Sequence, residues 1–106
     1  MLEITPIELK DYLETTSPKP LLLDVREPEE WAICHIEGSM HIPMDQIPDV
    51  AERLDPEQEI VVICHYGGRS ARVASYLEQT GFSKVINLVG GVDAWAREVD
   101  RDMAIY

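Results

Sequence analysis

A cysteine and an arginine frame a short glycine-rich loop in the second half of the chain, Cys64-His65-Tyr66-Gly67-Gly68-Arg69. A cysteine becomes a strong nucleophile when it loses its proton. The two glycines reach backbone angles closed to other residues, so the loop can curl and turn its N–H groups inward. Arg69 adds a fixed positive charge and a planar set of hydrogen-bond donors. This composition predicts a nucleophile aimed into a cradle for an anion.

The elements on either side of this loop would hold it in place. Residues 60–63 form an unbroken β-branched run, typical of a strand buried on both faces. Residues 70–80 carry apolar side chains at helical spacing, and Gly81 is a good residue to end that helix. The Cys64 thiol would then lie where open α/β sheets bind ligands, at the carboxyl end of a strand. The unpaired N–H groups and the dipole of the following helix would stabilise a thiolate there.

Composition limits the classes of protein and partner. A chain of 106 residues suffices for one compact domain, and its net charge of −11 argues against nucleic acids and anionic membranes as partners. No apolar run is long enough to span a bilayer. Residues 1–10 lack the basic and then apolar pattern of a signal peptide, which favours a cytoplasmic location. The two cysteines are then expected to be thiols rather than a disulfide.

The rest of the chain alternates short apolar runs with helical patterns. Predicted strands cover residues 2–4, 21–25, 40–42 and 84–88. Predicted helices cover residues 6–14, a short segment from Pro28, a segment capped by Asp45, and residues 92–98. In the first helix, Thr5 and Glu8 form a capping box, and the expected apolar contacts are Ile7, Leu9 and Leu13. The segment capped by Asp45 carries the apolar residues Ile47, Val50 and Leu54. Residues 100–106 give no clear signal, and either a loose or a docked tail fits them.

Strands that alternate with helices predict a parallel sheet covered on both faces. The carboxyl ends of parallel strands lie at the same edge of the sheet. The segment Asp24-Val25-Arg26 ends one such strand, so Asp24 and Arg26 are expected beside the loop that begins at Cys64.

Four motifs, in this order and spacing, resemble a single-domain rhodanese, a sulfurtransferase homology domain. They are Asp24-Val25-Arg26 with Glu30-Trp31, then His35-Ile36-Glu37-Gly38-Ser39 leading to His41-Ile42-Pro43, then Cys64-His65-Tyr66-Gly67-Gly68-Arg69-Ser70, and finally Gly90-Gly91-Val92-Asp93-Ala94-Trp95. The resemblance covers nearly the whole chain. It implies one α/β domain over residues 1–106, with a five-stranded, mostly parallel sheet and helices on both faces.

The resemblance also implies a reaction. Cys64 would carry a persulfide, taking sulfur from thiosulfate or another small anionic persulfide donor. It would pass that sulfur to cyanide, or to a thiol acceptor such as glutathione, a thioredoxin-like protein or another sulfur carrier. No cofactor is implied. The implied cradle consists of six residues, His65, Tyr66, Gly67, Gly68, Arg69 and Ser70. Asp24, Arg26 and Glu30 would support it.

Two other functions compete with this one. Related phosphatases and arsenate reductases of this fold look like Cys-x5-Arg, whereas Cys64 and Arg69 give Cys-x4-Arg, a smaller cup that favours sulfur over a tetrahedral oxyanion. A sulfur-carrier or regulatory module that acts only within a complex is the other alternative. Gly67 and Gly68 stand where some members of the family carry lysines and arginines, which argues against efficient use of thiosulfate itself.

Several residues have plainer interpretations. Cys34 is either a resolving thiol or a small core residue, and the core interpretation is favoured because free cysteines are usually buried. Cys34-His35 and Cys64-His65 are poor zinc chelators, since structural zinc sites space cysteines by about two to four residues. Asp24 and Arg26 could form a plain surface ion pair. The side chain of Arg69 could point outward, and His65 and Tyr66 are expected at the mouth of the pocket. Trp31 and Trp95 are expected in the core, and Gly90-Gly91 in a strand-to-helix turn.

Overall fold

The computed structural model describes all residues from Met1 to Tyr106 and contains one five-stranded sheet in the order β1-β5-β4-β2-β3. The strands are β1 Leu2–Ile4, β2 Leu21–Asp24, β3 Met40–His41, β4 Ile60–Ile63 and β5 Val85–Leu88. The helices are α1 Pro6–Thr15, α2 Pro28–Ile33, α3 Ile47–Ala51, α4 Gly68–Gln79 and α5 Gly91–Glu98. All neighbouring strands pair in parallel, so the predicted α/β fold is confirmed and the sheet is parallel throughout.

Each face of the sheet has its own hydrophobic core. Strand β4 lies at the centre and is completely buried, as its β-branched run predicts. Ile60 and Val62 pack with Cys64 against α3 and α4, whereas Val61 and Ile63 pack against α1 and α5. Successive side chains of a strand point to opposite faces. The predicted placement of helices on both faces is therefore confirmed, and Cys64 belongs to the α3–α4 face.

Helix α1 begins with the predicted capping box. The Thr5 hydroxyl accepts from the Glu8 N–H, and the Glu8 carboxylate accepts from the Thr5 N–H. Leu9 is completely buried. Ile7, predicted to be an apolar contact, is instead 52% exposed, because it lies on the opposite side of the helix from Leu9.

The helix predicted to begin at Asp45 differs from the observed structure. Asp45 lies inside a short 3₁₀ turn, Met44–Gln46, and α3 follows it with no side-chain cap. Pro48 falls in the first turn of α3, where its missing N–H costs nothing. Val50 and Leu54 still pack against the core as expected.

The two tryptophans have different environments. Trp95 is buried in the α1–α5 core as predicted. Trp31 is only half-buried and lies outside both cores. Its ring stacks on His35 at 3.8 Å and on His41 at 4.8 Å between ring centroids. The prediction of core packing was therefore wrong for Trp31, because the imidazole rings take the place of apolar neighbours.

The last seven residues are docked rather than loose. The Asp100 N–H donates to the carbonyl of Trp95, and the side chains of Met103 and Tyr106 pack against the α1–α5 core. This segment brings Tyr106 to the edge of the sheet where β2 and β4 end. No helix is long and apolar enough to cross a membrane, the longest having 12 residues.

Candidate functional site

The thiol of Cys64 sits in a cup of backbone N–H groups. The Gly67 and Ser70 N–H groups donate to Sγ at 3.1 and 3.2 Å, and the Ser70 hydroxyl lies 3.2 Å away. Gly67 has φ +104°, a left-handed conformation, and is the N-cap residue of α4. One N–H group of the loop and one of the first turn of α4 therefore converge on Sγ. Cys64 itself is only 1% exposed.

The side chains of His65 and Tyr66 point away from this cup. Tyr66 is 63% exposed, and its ring lies 3.8 Å from the half-buried imidazole of His65. On its other side His65 stacks on Tyr106, again at 3.8 Å and nearly parallel. The Nε2 atom of His65 also lies 3.0 Å from the Tyr106 carbonyl oxygen. Both side chains thus lie outside the cup, on the side of the pocket mouth where the sequence predicts them.

Arg69 is held by a carboxylate from another helix. Its two terminal nitrogens donate to the two oxygens of Glu30, at 2.6 and 2.8 Å, in the bidentate geometry that guanidinium and carboxylate groups favour. These bonds lower the pKa of Glu30 to about 2 and raise that of Arg69. The hydrogen bonds to Sγ come from Gly67 and Ser70, so the guanidinium of Arg69 takes no part in the cup.

Asp24 and Arg26 form a completely buried pair, not a surface one. Arg26 donates to both Asp24 oxygens, and it also bonds the Cys34 carbonyl at 2.6 Å and the Tyr106 hydroxyl at 2.8 Å. Burial alone would lower the pKa of Arg26, but the bonds to Asp24 and Tyr106 outweigh it and the pKa is raised. Neither Asp24 nor Arg26 bonds the loop directly. Arg26 reaches it only through Tyr106 and Glu30.

Tyr106 connects these groups, and no pattern in the sequence indicates this role. Its hydroxyl donates to Glu30 at 2.7 Å and accepts from Arg26. Burial and the neighbouring carboxylate of Glu30 raise the pKa of Tyr106 to about 12 despite the opposing bond from Arg26. Tyr106 thus ties the buried Asp24–Arg26 pair to the Glu30–Arg69 pair, while its ring supports His65.

Asn87 is a second residue of the site that no sequence motif predicted. It lies buried on β5, and its side-chain N–H donates to the Gly67 carbonyl at 3.2 Å. Its side-chain oxygen accepts the Ser70 hydroxyl proton at 2.5 Å. Because that proton goes to Asn87, the Ser70 oxygen is left to accept from the Cys64 thiol. The available signal was one amide in an apolar strand, just before the Gly90-Gly91 turn.

The start of α5 is hydrogen-bonded to the backbone of the loop. The Val92 and Asp93 N–H groups donate to the carbonyls of Cys64 and His65, at 2.9 and 3.1 Å. A Cβ atom on Gly91 would lie 2.2 Å from the Cys64 oxygen and 2.5 Å from the His65 oxygen. Gly91 therefore permits a close approach of two backbones, a role beyond the predicted turn.

Cys34 fits a structural role. Cys34 is half-buried, unpaired and packed against the α1–α5 core, which agrees with the core interpretation. Its Sγ lies 3.9 Å from a terminal nitrogen of Arg26. No group of three or more histidine, cysteine or acidic side chains is placed to hold a metal ion.

Comparison with known proteins places this architecture. The model of the family described as Rhodanese-like domain matches residues 5–98. The putative sulfurtransferase YtwF of Bacillus subtilis is 43% identical over 96 residues, and the match covers 91% of each chain. A crystal structure of a rhodanese-like domain protein from Staphylococcus aureus superposes with a TM-score of 0.85 at 37% identity, covering 100% of this chain and 99% of that one.

Longer proteins also contain a similar segment. The probable adenylyltransferase/sulfurtransferase MoeZ of Mycobacterium tuberculosis is 39% identical over 105 residues. That match covers 97% of this chain but 26% of MoeZ, so the chain spans about a quarter of this relative's length.

The close approach at Gly91 gives the first prediction. Gly91→Ala should lower the free energy of unfolding by at least about 2 kcal/mol, because a side chain at φ +57° is strained and its Cβ would displace the Cys64 and His65 carbonyls. Urea denaturation measures this. Gly68→Ala is the matched control, since its Cβ would meet no heavy atom within 4 Å. Equal stability of the two variants would contradict the close approach of the Gly91 backbone to the Cys64 and His65 carbonyls.

The buried side-chain amide of Asn87 gives the second prediction. Asn87→Leu should lower the unfolding free energy by about 1–3 kcal/mol, because the Gly67 carbonyl would keep only the Ala71 N–H as a donor and the buried Ser70 hydroxyl would lose the acceptor of its proton. A double-mutant cycle with Ser70→Ala separates the two bonds in urea denaturation. Additive effects of the two changes would show that Ser70 and Asn87 are not coupled.

The Glu30–Arg69 pair gives the third prediction, which concerns how stability depends on pH. The folded-state pKa of Glu30, about 2, lies below its ordinary value of 4.5, so the pair stabilises the fold above pH 4.5 and loses this effect as the pH falls toward 2. The stability difference between the unmodified chain and Glu30→Gln should therefore shrink below about pH 4.5. Glu29→Gln, at an exposed neighbour, is the control. A difference that stays constant to pH 3 would disprove the assignment.

Proposed function

Because the chain belongs to the rhodanese-like domain family, we propose that it transfers sulfane sulfur and that Cys64 carries the sulfur as a persulfide. The observation that carries this proposal is the convergence of the Gly67 and Ser70 N–H groups on Sγ of Cys64. The names of its relatives, a putative sulfurtransferase and a probable adenylyltransferase/sulfurtransferase, support the same class of reaction.

The first half-reaction loads the thiol. The Cys64 thiolate attacks the outer sulfur of the donor, a new S–S bond forms, and the bond between the outer sulfur and the rest of the donor breaks. The leaving group departs with the electron pair, as sulfite from thiosulfate or as a thiolate from an organic persulfide. No external oxidant is needed, because the sulfane sulfur arrives already oxidised relative to a thiol.

The second half-reaction empties the site. A thiolate or cyanide attacks the outer sulfur of the Cys64 persulfide, the S–S bond breaks, and Cys64 leaves as a thiolate. Covalent storage divides one difficult transfer into two easier steps. The N–H groups of Gly67 and Ser70 stabilise the negative charge on sulfur in both steps, because they are fixed in place before reaction.

The other residues of the site position this cup. Asn87 holds the Gly67 carbonyl, which keeps the neighbouring N–H groups aimed at Cys64. Val92 and Asp93 hold the carbonyls of Cys64 and His65. The exposed ring of Tyr66 and the ring of His65 flank the mouth, where an acceptor would arrive.

A second candidate is a sulfur carrier that acts within a complex. It is supported by MoeZ, in which a segment similar to this chain occupies about a quarter of a longer protein. Under this hypothesis Cys64 still forms a persulfide, but only a protein partner would load or unload it at a useful rate.

The fourth prediction tests the proposed chemistry. Intact mass is measured after incubation with thiosulfate, mercaptopyruvate and glutathione persulfide in turn. We expect a one-sulfur adduct that is lost in Cys64→Ser and retained in Cys34→Ser, because only Cys64 lies in the cup. Release of thiocyanate on addition of cyanide should follow the same pattern.

Three other outcomes have definite meanings. No adduct with any donor would refute sulfur transfer by the isolated chain. An adduct that forms without any turnover to small acceptors would favour the carrier hypothesis. Hydrolysis of p-nitrophenyl phosphate without an adduct would favour the phosphatase alternative.

A further inference from the structure

We propose that Glu30 sets the donor class of the Cys64 site by keeping Arg69 occupied, so that the site accepts organic persulfides in preference to thiosulfate. This inference rests on the proposed sulfur transfer and adds a specificity-determining residue to it. It begins from the bidentate bond between Glu30 and Arg69 at the rim of the cup.

Arg69 is the cation placed to meet an anionic donor. It is the one lysine or arginine in the loop from Cys64 to Ser70, and its side chain is 32% exposed. Arg26 is completely buried and bound to Asp24 and Tyr106. Arg72, one turn further along α4, lines a separate groove with Ile47 and other residues of the α3–α4 face.

Glu30 is built to hold Arg69 rather than to meet it by chance. One Glu30 oxygen also accepts from the Glu27 N–H at the start of α2, and the other accepts from the Tyr106 hydroxyl. The carboxylate is thus fixed by two further donors before Arg69 binds. It keeps its negative charge at all physiological pH values, and it cancels the charge of Arg69 where the pair is formed.

Thiosulfate and organic persulfides require different groups around the Cys64 thiol in order to bind. Thiosulfate places a sulfonate group with three oxygens directly beside the reacting sulfur, and such a group requires a free cation or further N–H donors. An organic persulfide presents its outer sulfur on a second sulfur and a carbon chain. The N–H groups that already contact Cys64 are sufficient for that sulfur.

The fifth prediction tests this inference with Glu30→Gln, which keeps the side chain's shape and removes its charge. Initial rates of adduct formation on Cys64 are measured by intact mass with thiosulfate and with glutathione persulfide. The ratio of the thiosulfate rate to the persulfide rate should rise about tenfold, because Arg69 becomes free to bind the sulfonate.

Two variants serve as controls. Glu29→Gln makes the same change in net charge at an exposed position of α2 and should leave the ratio unchanged. The double variant Glu30→Gln/Arg69→Gln has the net charge of the unmodified chain and should return the ratio to within about threefold of it. If Glu30→Gln fails to fold, Glu30→Asp keeps the charge but shortens the reach, and a smaller rise in the ratio is expected.

An unchanged ratio in folded Glu30→Gln, or an equal rise in Glu29→Gln, would overturn the inference. A rise that persists in the double variant would also overturn it, since Arg69 would then not be the group released. These outcomes differ from failure of the proposed function, in which the unmodified chain acquires no sulfur from either donor.

Discussion

The structure depends on bending six residues of backbone around one buried sulfur atom. Turning N–H groups inward toward Cys64 turns the carbonyls of the same loop outward, into the protein, where each needs a donor. Asn87 and the Ala71 N–H of α4 both donate to Gly67, and the Val92 and Asp93 N–H groups of α5 donate to Cys64 and His65. No buried side-chain nitrogen or oxygen lacks a partner. The loop is therefore specified as much by what lies behind it as by its own glycines.

The charges around the site follow a second constraint. Asp24, Arg26, Glu30 and Arg69 alternate in sign, and the Tyr106 hydroxyl connects the buried pair to the half-buried one. Each charge has a partner of opposite sign within this network, so no buried ion is left unpaired, which would be highly destabilising. The consequence is a nucleophile surrounded by N–H dipoles rather than by free cationic side chains. Dipoles fixed by a helix and a sheet need no rearrangement when the sulfur gains charge.

Local patterns in the sequence were enough for much of this arrangement. The β-branched run of β4 and the glycines after Cys64 predicted the strand, the loop and the helix, and the rule for parallel strands brought Asp24 and Arg26 to the same edge. Tyr106 could not be found in this way, because residues 100–106 carry no periodic pattern and its partners Arg26 and Glu30 lie 80 and 76 positions away in the chain. Trp31 was misplaced for a similar reason. Its neighbours His35 and His41 take the place of a core that hydrophobicity alone would predict.

The two faces of the sheet meet at Cys64, and this links stability to chemistry. Its side chain packs in the α3–α4 core, while its carbonyl is held by the start of α5, which packs on the opposite face. The N–H groups that contact Sγ come from the loop and from α4, so the sulfur is positioned from both sides at once. Packed cores shift little without cost. A substitution at Gly91 thus acts on the nucleophile through the backbone, and one at Asn87 acts through the Gly67 backbone and the Ser70 hydroxyl. Neither residue needs to contact a substrate, so the positions that matter for the cup extend well beyond the residues that face it.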